Sequence, residues 1–209
     1  MVKSVIVLTL SLKFGDYCIA AYDALDNKII RLVKDTTEDN GIPKEHALGI
    51  HLLDEVNINV VEECPIEHQT ENVIIDLDYG LEKTGRHANI SGIYNRLQQN
   101  ADAFGNNKYK MSNISSLKHS LEIIQFKNIH ILQKEINGKP KTKANFICNS
   151  QIHENYSVTD ARYFDCDMVL ASGYLVVSLP ATSDYTNQYG YFKYIAAIYP
   201  DEMIMDTPF

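Results

Sequence analysis

The densest grouping of reactive side-chain types in this chain is His68-Gln69-Thr70-Glu71-Asn72. His68, Gln69, Glu71 and Asn72 place donors and acceptors close enough to read a base edge or orient a ligand. The same groups are equally able to satisfy the backbone of their own loop. A second grouping is aromatic: Tyr185, Tyr189, Tyr191, Phe192 and Tyr194 surround Lys193. Single-strand binders combine stacking faces with cations in this way. Strand propensity alone would also select these residues, with alternate positions facing a core. A third grouping is basic: Lys134, Lys139, Lys141 and Lys143 flank Asn137-Gly138. Such lysines can track a phosphate backbone, or protect an exposed hairpin from edge pairing.

Catalytic patterns are harder to find. Asp160, Asp165 and Asp167 could hold a divalent ion for hydrolysis, and His46 and His51 lie near each other, but neither set has zinc- or calcium-loop spacing. Asp76 and Asp78 would share one face of a strand, with no lysine following at a spacing that suggests nuclease chemistry. Gly-x-Ser-x-Gly, Gly-Lys-Ser/Thr and Gly-x-Gly-x-x-Gly do not occur. The expectation is a non-catalytic protein without metal or cofactor.

The elements that must position these groups are short and β-rich. Residues 4–10, 16–24 and 28–34 are β-branched runs separated by Gly15 and Asp26-Asn27, a three-stranded meander. A polar loop runs from Asp35 to Pro43, with a helical turn expected at 44–49. Val56, Ile58 and Val60 then alternate with Asn57 and Asn59, the period of a half-buried strand. Five such strands are what a small Greek-key barrel needs. From residue 86 to 103 the apolar step changes: Ile90, Ile93, Tyr94, Leu97, Ala101 and Phe104 predict an amphipathic helix capped by Asn89 or Ser91, with a second helical segment at 115–121. Strand-like runs resume at 121–126, 129–136, 144–152, 156–159, 174–179 and 190–199. Asn137-Gly138 is the strongest short hairpin signal. The expected organisation is mainly β: an N-terminal OB-like barrel over residues 1–80, a helical insert over 81–121 and a C-terminal OB-like barrel over 122–209.

Composition bounds the partners. The chain has 209 residues, 45% hydrophobic and 22% charged, with a formal net charge of -8. Its average surface therefore repels a polyanion, and nucleic-acid binding would need a local basic patch. Four cysteines at 18, 64, 148 and 166 show no paired spacing, and Val5 to Leu10 is too short to span a membrane. Free thiols in a cytoplasmic protein are expected.

Taken in order, the N-terminal strand, Cys18-Ile19-Ala20, Ile30-Arg31-Leu32-Val33, His68-Gln69-Thr70-Glu71-Asn72, Val158-Thr159-Asp160, Leu175-Val176-Val177-Ser178-Leu179 and Lys193-Tyr194-Ile195-Ala196-Ala197-Ile198 resemble the bacterial dual OB-containing domain family. The resemblance covers essentially the whole chain. It implies two OB-like barrels and an inferred role in nucleic-acid binding. It departs from the family after the first strand, where Leu10-Ser11-Leu12-Lys13 replaces an Asn-Ser-Arg-Lys type sequence and Asp16 precedes Tyr17 in place of a Gly-Arg pair. Asp16 would oppose an anion there. Mapped onto this chain, the resemblance and the aromatic stretch nominate Lys13, Arg31, His68, Gln69, Glu71, Asn72, Tyr191 and Lys193 as a nucleic-acid-binding surface. Single-stranded nucleic acid and a protein are the two partners this leaves open; a membrane is not among them.

Overall fold

A computed structural model describes residues 1–13, 15–37, 40–97 and 102–201, without the side chains of residues 13 and 184. Residues 98–101 of the predicted 86–103 helix and the chain after residue 201 lie outside it, and residues 102 and 103 form a turn.

The first unit comprises β1 (Val2–Val7), β2 (Ser11–Lys13), β3 (Asp16–Asp23), β4 (Lys28–Val33), β5 (Asp54–Glu63), β6 (Asn72–Ile75) and β7 (Glu82–His87). Its sheet runs β1-β3-β4-β6-β5, and β5 pairs back to β1, so five strands close a ring. Only β4 and β6 are parallel. After α1 (Ile90–Leu97) and β8 (Lys110–Met111), the second unit comprises β9 (Leu121–Ile136), β10 (Lys139–Cys148), β11 (Gln151–Val158), β12 (Met168–Ser178), α2 (Asp184–Tyr189), β13 (Tyr191–Phe192) and β14 (Tyr194–Pro200). It closes as β10-β11-β14-β12-β9, with β11 and β14 the parallel pair. Counted by chain order within each barrel, both follow first-second-third-fifth-fourth. The one-topology-twice arrangement had no detectable sequence period.

Alternation along the strands accounts for three apolar clusters. Val5, Ile19, Ala21, Ile30, Leu32, Val56 and Ile58 point into the first barrel. Ile124, Phe126, Phe146, Tyr156, Leu175, Val177 and Ile195 fill the second. The intervening residues of the same strands, Ala20, Tyr22 and Ile29 on one side and Ile123, Tyr174, Val176, Ala197 and Tyr199 on the other, pack against each other and against Ile90 and Ile93 of α1. These strands are buried on both faces. That is why they read as unbroken apolar runs rather than clean alternation. Backbone hydrogen bonds cross the junction from Leu12 N–H to Thr159 O (3.3 Å), and the Tyr199 hydroxyl donates to Leu8 O (2.6 Å).

Several local expectations changed. β9 is one 16-residue strand rather than two. It pairs with β12 from Leu121 to Ile131 and with β10 from Lys127 to Ile136, and Asn128, where φ is +48°, lies in the overlap. Residues 115–120 are irregular rather than helical, because Leu121 and Ile123 must enter the junction core on a strand. The first sheet continues past residue 80 into β7, whose polar sequence gives no strand period. Asn89 does cap α1, its Oδ1 accepting from Ser91 N–H at 2.8 Å. Among the described residues no helix is long and apolar enough to cross a membrane, and all four cysteines are free.

Candidate nucleic-acid interface

Arg31, His68, Gln69, Glu71 and Asn72 are gathered by the fold, but in the junction rather than on a surface. Arg31 projects from the outer face of β4 and is 5% exposed. Its guanidinium donates to Cys18 Sγ (2.9 Å) and to the hydroxyls of Ser120 (2.7 Å) and Ser178 (3.3 Å), the latter two from the second barrel. Glu71 lies 3.7 Å from it and accepts from Ser120 N–H at 3.1 Å and from the Ser120 hydroxyl. His68 Nε2–H donates to Pro180 O (2.9 Å), Gln69 donates to Leu179 O (3.3 Å), and Asn72 donates to Gln69 Oε1 (3.3 Å). Burial holds His68 neutral by pushing its pKa below the usual imidazole value. The 68–72 motif therefore docks the first barrel onto the chain at 118–120 and 179–180. Its concentration of polar groups serves these buried contacts.

Tyr191 and Lys193 are likewise interior. Tyr191 packs edge-on against His68 and shares a hydrogen bond with the Thr182 hydroxyl at 3.0 Å. Lys193 is fully buried, its ammonium donating to Ala103 O, Asn106 O (2.8 Å) and Asn106 Oδ1 (3.1 Å). Desolvation lowers its pKa to about 8. Lys193 thus ties the 103–106 turn to the barrel. Arg31, His68, Gln69, Asn72, Tyr191 and Lys193 are thereby buried, and the Glu71 side chain nearly so. The Lys13 side chain lies outside the described residues, and its backbone pairs with Asp16.

The carboxylates also separate. Asp160 is buried and accepts a bidentate pair from Arg162 at 3.0 and 2.7 Å, whereas Asp167 lies 3.2 Å from His130. Among the described residues no three such side chains are placed to hold a metal ion.

What remains outward is aromatic and basic. Ser183 caps α2 through a capping box with Thr186, and this short helix presents Tyr185 and Tyr189 one turn apart with ring centroids at 4.9 Å. Both are exposed. Gly190 ends the helix at φ +84°, where a Cβ would meet Met111 O at 2.9 Å. β13 can then pair with β8, setting Phe192 opposite Lys110. Lys110 Nζ sits 5.9 Å from the Phe192 centroid, with Tyr109 at 5.9 Å and Tyr185 at 6.1 Å from the same ring. A cavity of about 860 Å³ opens beside this platform, lined by Lys110, Asn113, Thr186, Asn187, Gln188 and Tyr189 among others. Sequence reading found Tyr185, Tyr189 and Phe192 but missed Tyr109 and Lys110, which join them only through a two-residue strand pair.

The lysine hairpin forms as expected. Asn137 and Gly138 take φ of +53° and +70°, the left-handed pair of a two-residue turn. Lys134 and Lys141 are direct cross-strand partners, a like-charge pairing that is unfavourable without an anion. Lys143 is buried beside them, donates to Ser157 Oγ at 2.8 Å, and has its pKa lowered by burial and then by its two lysine neighbours.

Two closed five-stranded barrels of one topology, joined through the outer face of the first, define a tandem OB architecture. The dual OB-containing domain family matches residues 3–198, nearly the whole chain, and the protein belongs to that family. No curated protein and no solved structure matches it.

Proposed function

We propose that the protein is a non-catalytic nucleic-acid-binding module that holds a single strand on its second barrel. The supporting observation is the ring cluster of the exposed Tyr185 and Tyr189 with the half-buried Phe192 and Tyr109, and Lys110 over Phe192. Tyr185, Tyr189 and Phe192 lie on the connection between the fourth and fifth strands of an OB barrel, a region such folds use for oligonucleotides. In the first barrel the outer face of the second and third strands is covered by its neighbour, so the ligand surface falls to the second. Successive bases stack on the rings, and the exposed lysines at 108, 110, 134 and 139 supply charge.

The test is fluorescence anisotropy with labelled single-stranded RNA, single-stranded DNA and duplex across a salt series. Single strands bind best. The slope corresponds to roughly two to four phosphate contacts, because the protein is acidic overall. Replacing Tyr185 and Tyr189 together by alanine weakens single-strand binding by about 1–3 kcal/mol for each base unstacked. Absence of binding to all three probes at low salt transfers the site to a protein partner. Exposed tyrosines suit that second reading too, since they also anchor protein interfaces.

A further inference from the structure

We propose that the cleft where the two barrels meet is a phosphate-binding site, independent of the aromatic platform. The cleft has a volume of about 410 Å³ and is lined by Cys18, Arg31, Gln69, Lys141, Thr159 and Tyr194 among others. Two cations line it and, among the described residues, no carboxylate does, in a chain whose formal net charge is -8. Arg31 is 95% removed from solvent by its 5% exposure, yet no carboxylate oxygen is hydrogen-bonded to it. Its donors go to a sulfur and two hydroxyls, and its buried Nε–H has no partner. Glu71, the nearest acid, already accepts from Ser120. Arg162 shows the contrast, with its guanidinium bound to both oxygens of Asp160.

A planar guanidinium whose hydrogen bonds go to a sulfur and two hydroxyls, with its one neighbouring carboxylate, Glu71, held off at 3.7 Å, is suited to a tetrahedral oxyanion. Lys141 adds a second cation, and an anion beside it would relieve the repulsion from Lys134 across the ladder. Tyr194 offers a ring for a flat group attached to the phosphate, and the volume falls in the range of small-ligand sites. The shared chemistry is a phosphate group. It can arrive on a small phosphorylated molecule or on the end of a strand.

Cys18 lines the same cleft, while the partly exposed Cys64 and Cys166 do not. Iodoacetamide labelling of the full chain is followed cysteine by cysteine with inorganic phosphate, a nucleoside monophosphate, and single-stranded oligonucleotides with and without a 5′-phosphate. Cys18 labelling is expected to slow by about tenfold at roughly ten times the Kd, as mass action requires. Cys64 and Cys166 should keep their rates. Protection by the monophosphate identifies a small ligand; protection by the 5′-phosphorylated oligonucleotide alone identifies a strand end. Arg31 bridges the barrels and its replacement could unfold the protein, so the exposed Lys141→Ala variant carries the mutational test and should lose most of the protection. Calorimetric titration with the same probes covers the case of slow Cys18 labelling. The proposal is overturned if no phosphate-bearing probe binds or protects, if all three cysteines slow together, or if Lys141→Ala is protected as well as the parent.

Discussion

His153 carries a titratable ring whose position is set by packing. It is 2% exposed, stacks on Phe146 with centroids 4.8 Å apart and lies 3.1 Å from the Tyr156 hydroxyl. Burial, reinforced by the charge of Lys193, lowers its pKa to about 4. A histidine whose folded pKa lies below its unfolded value takes up its proton on unfolding. Stability is therefore fully present above about pH 6.5 and is lost as pH falls towards 4. The loss expected from this residue is on the order of 2 to 3 kcal/mol. Urea denaturation of the parent and of His153→Phe at pH 7 and pH 4.5 measures it. His68 titrates in the same direction and His119, held up by Glu122, in the opposite one, so the difference between the two proteins is the informative quantity. An equal pH dependence in both would show that His153 is not the group responsible.

Elements here are shaped by a few backbone positions. β12 passes β14 and β9 so closely at Gly173 that a Cβ would meet Tyr199 O at 2.1 Å and the Phe126 ring at 2.9 Å, at φ +152°. Its registered neighbours are Pro200 and Phe126. An added methyl must push apart two ladders at once, and Gly173→Ala is expected to lower stability by about 3 kcal/mol through strain and overpacking. Chemical denaturation reads this directly; a change under about 0.5 kcal/mol, the size of an ordinary surface effect, would contradict it. The platform depends on an equally local device. Two-residue β13 pairs with two-residue β8, and this alone brings Phe192 to Lys110.

For the whole molecule, the junction is a third core. Removing the second barrel would expose Leu8, Ala20, Tyr22 and Ile29 together and leave Arg31 and Glu71 without Ser120 and Ser178. Each large apolar side chain returned to water forfeits about 1.5–3 kcal/mol, against a typical total stability of about 5–15 kcal/mol. A fragment of residues 1–88, which keeps β7, is therefore expected not to fold by itself, and the full chain to unfold in one transition. Near-ultraviolet circular dichroism of the fragment and urea curves of the full chain by two probes decide the matter. A folded, monomeric fragment would mean that the junction adds little.

Patterns within reach along the chain were legible from sequence. Alternation at 54–61, the Asn137-Gly138 turn and the order of short strands were enough for two small barrels, because pleat and turn geometry depend on neighbouring residues. The packing of one barrel on the other was not legible. Ala20, Tyr22 and Ile29 look the same whether they face water, a ligand or another sheet. For the same reason His68 to Asn72 read as a ligand site as readily as a structural one, and its partners are at 118–120 and 179–180. Lys193 read as a surface cation because nothing beside it announces the 103–106 turn that its ammonium holds. Side-chain type is local and burial is not: which polar groups meet solvent was decided only when residues far apart in the chain closed over them.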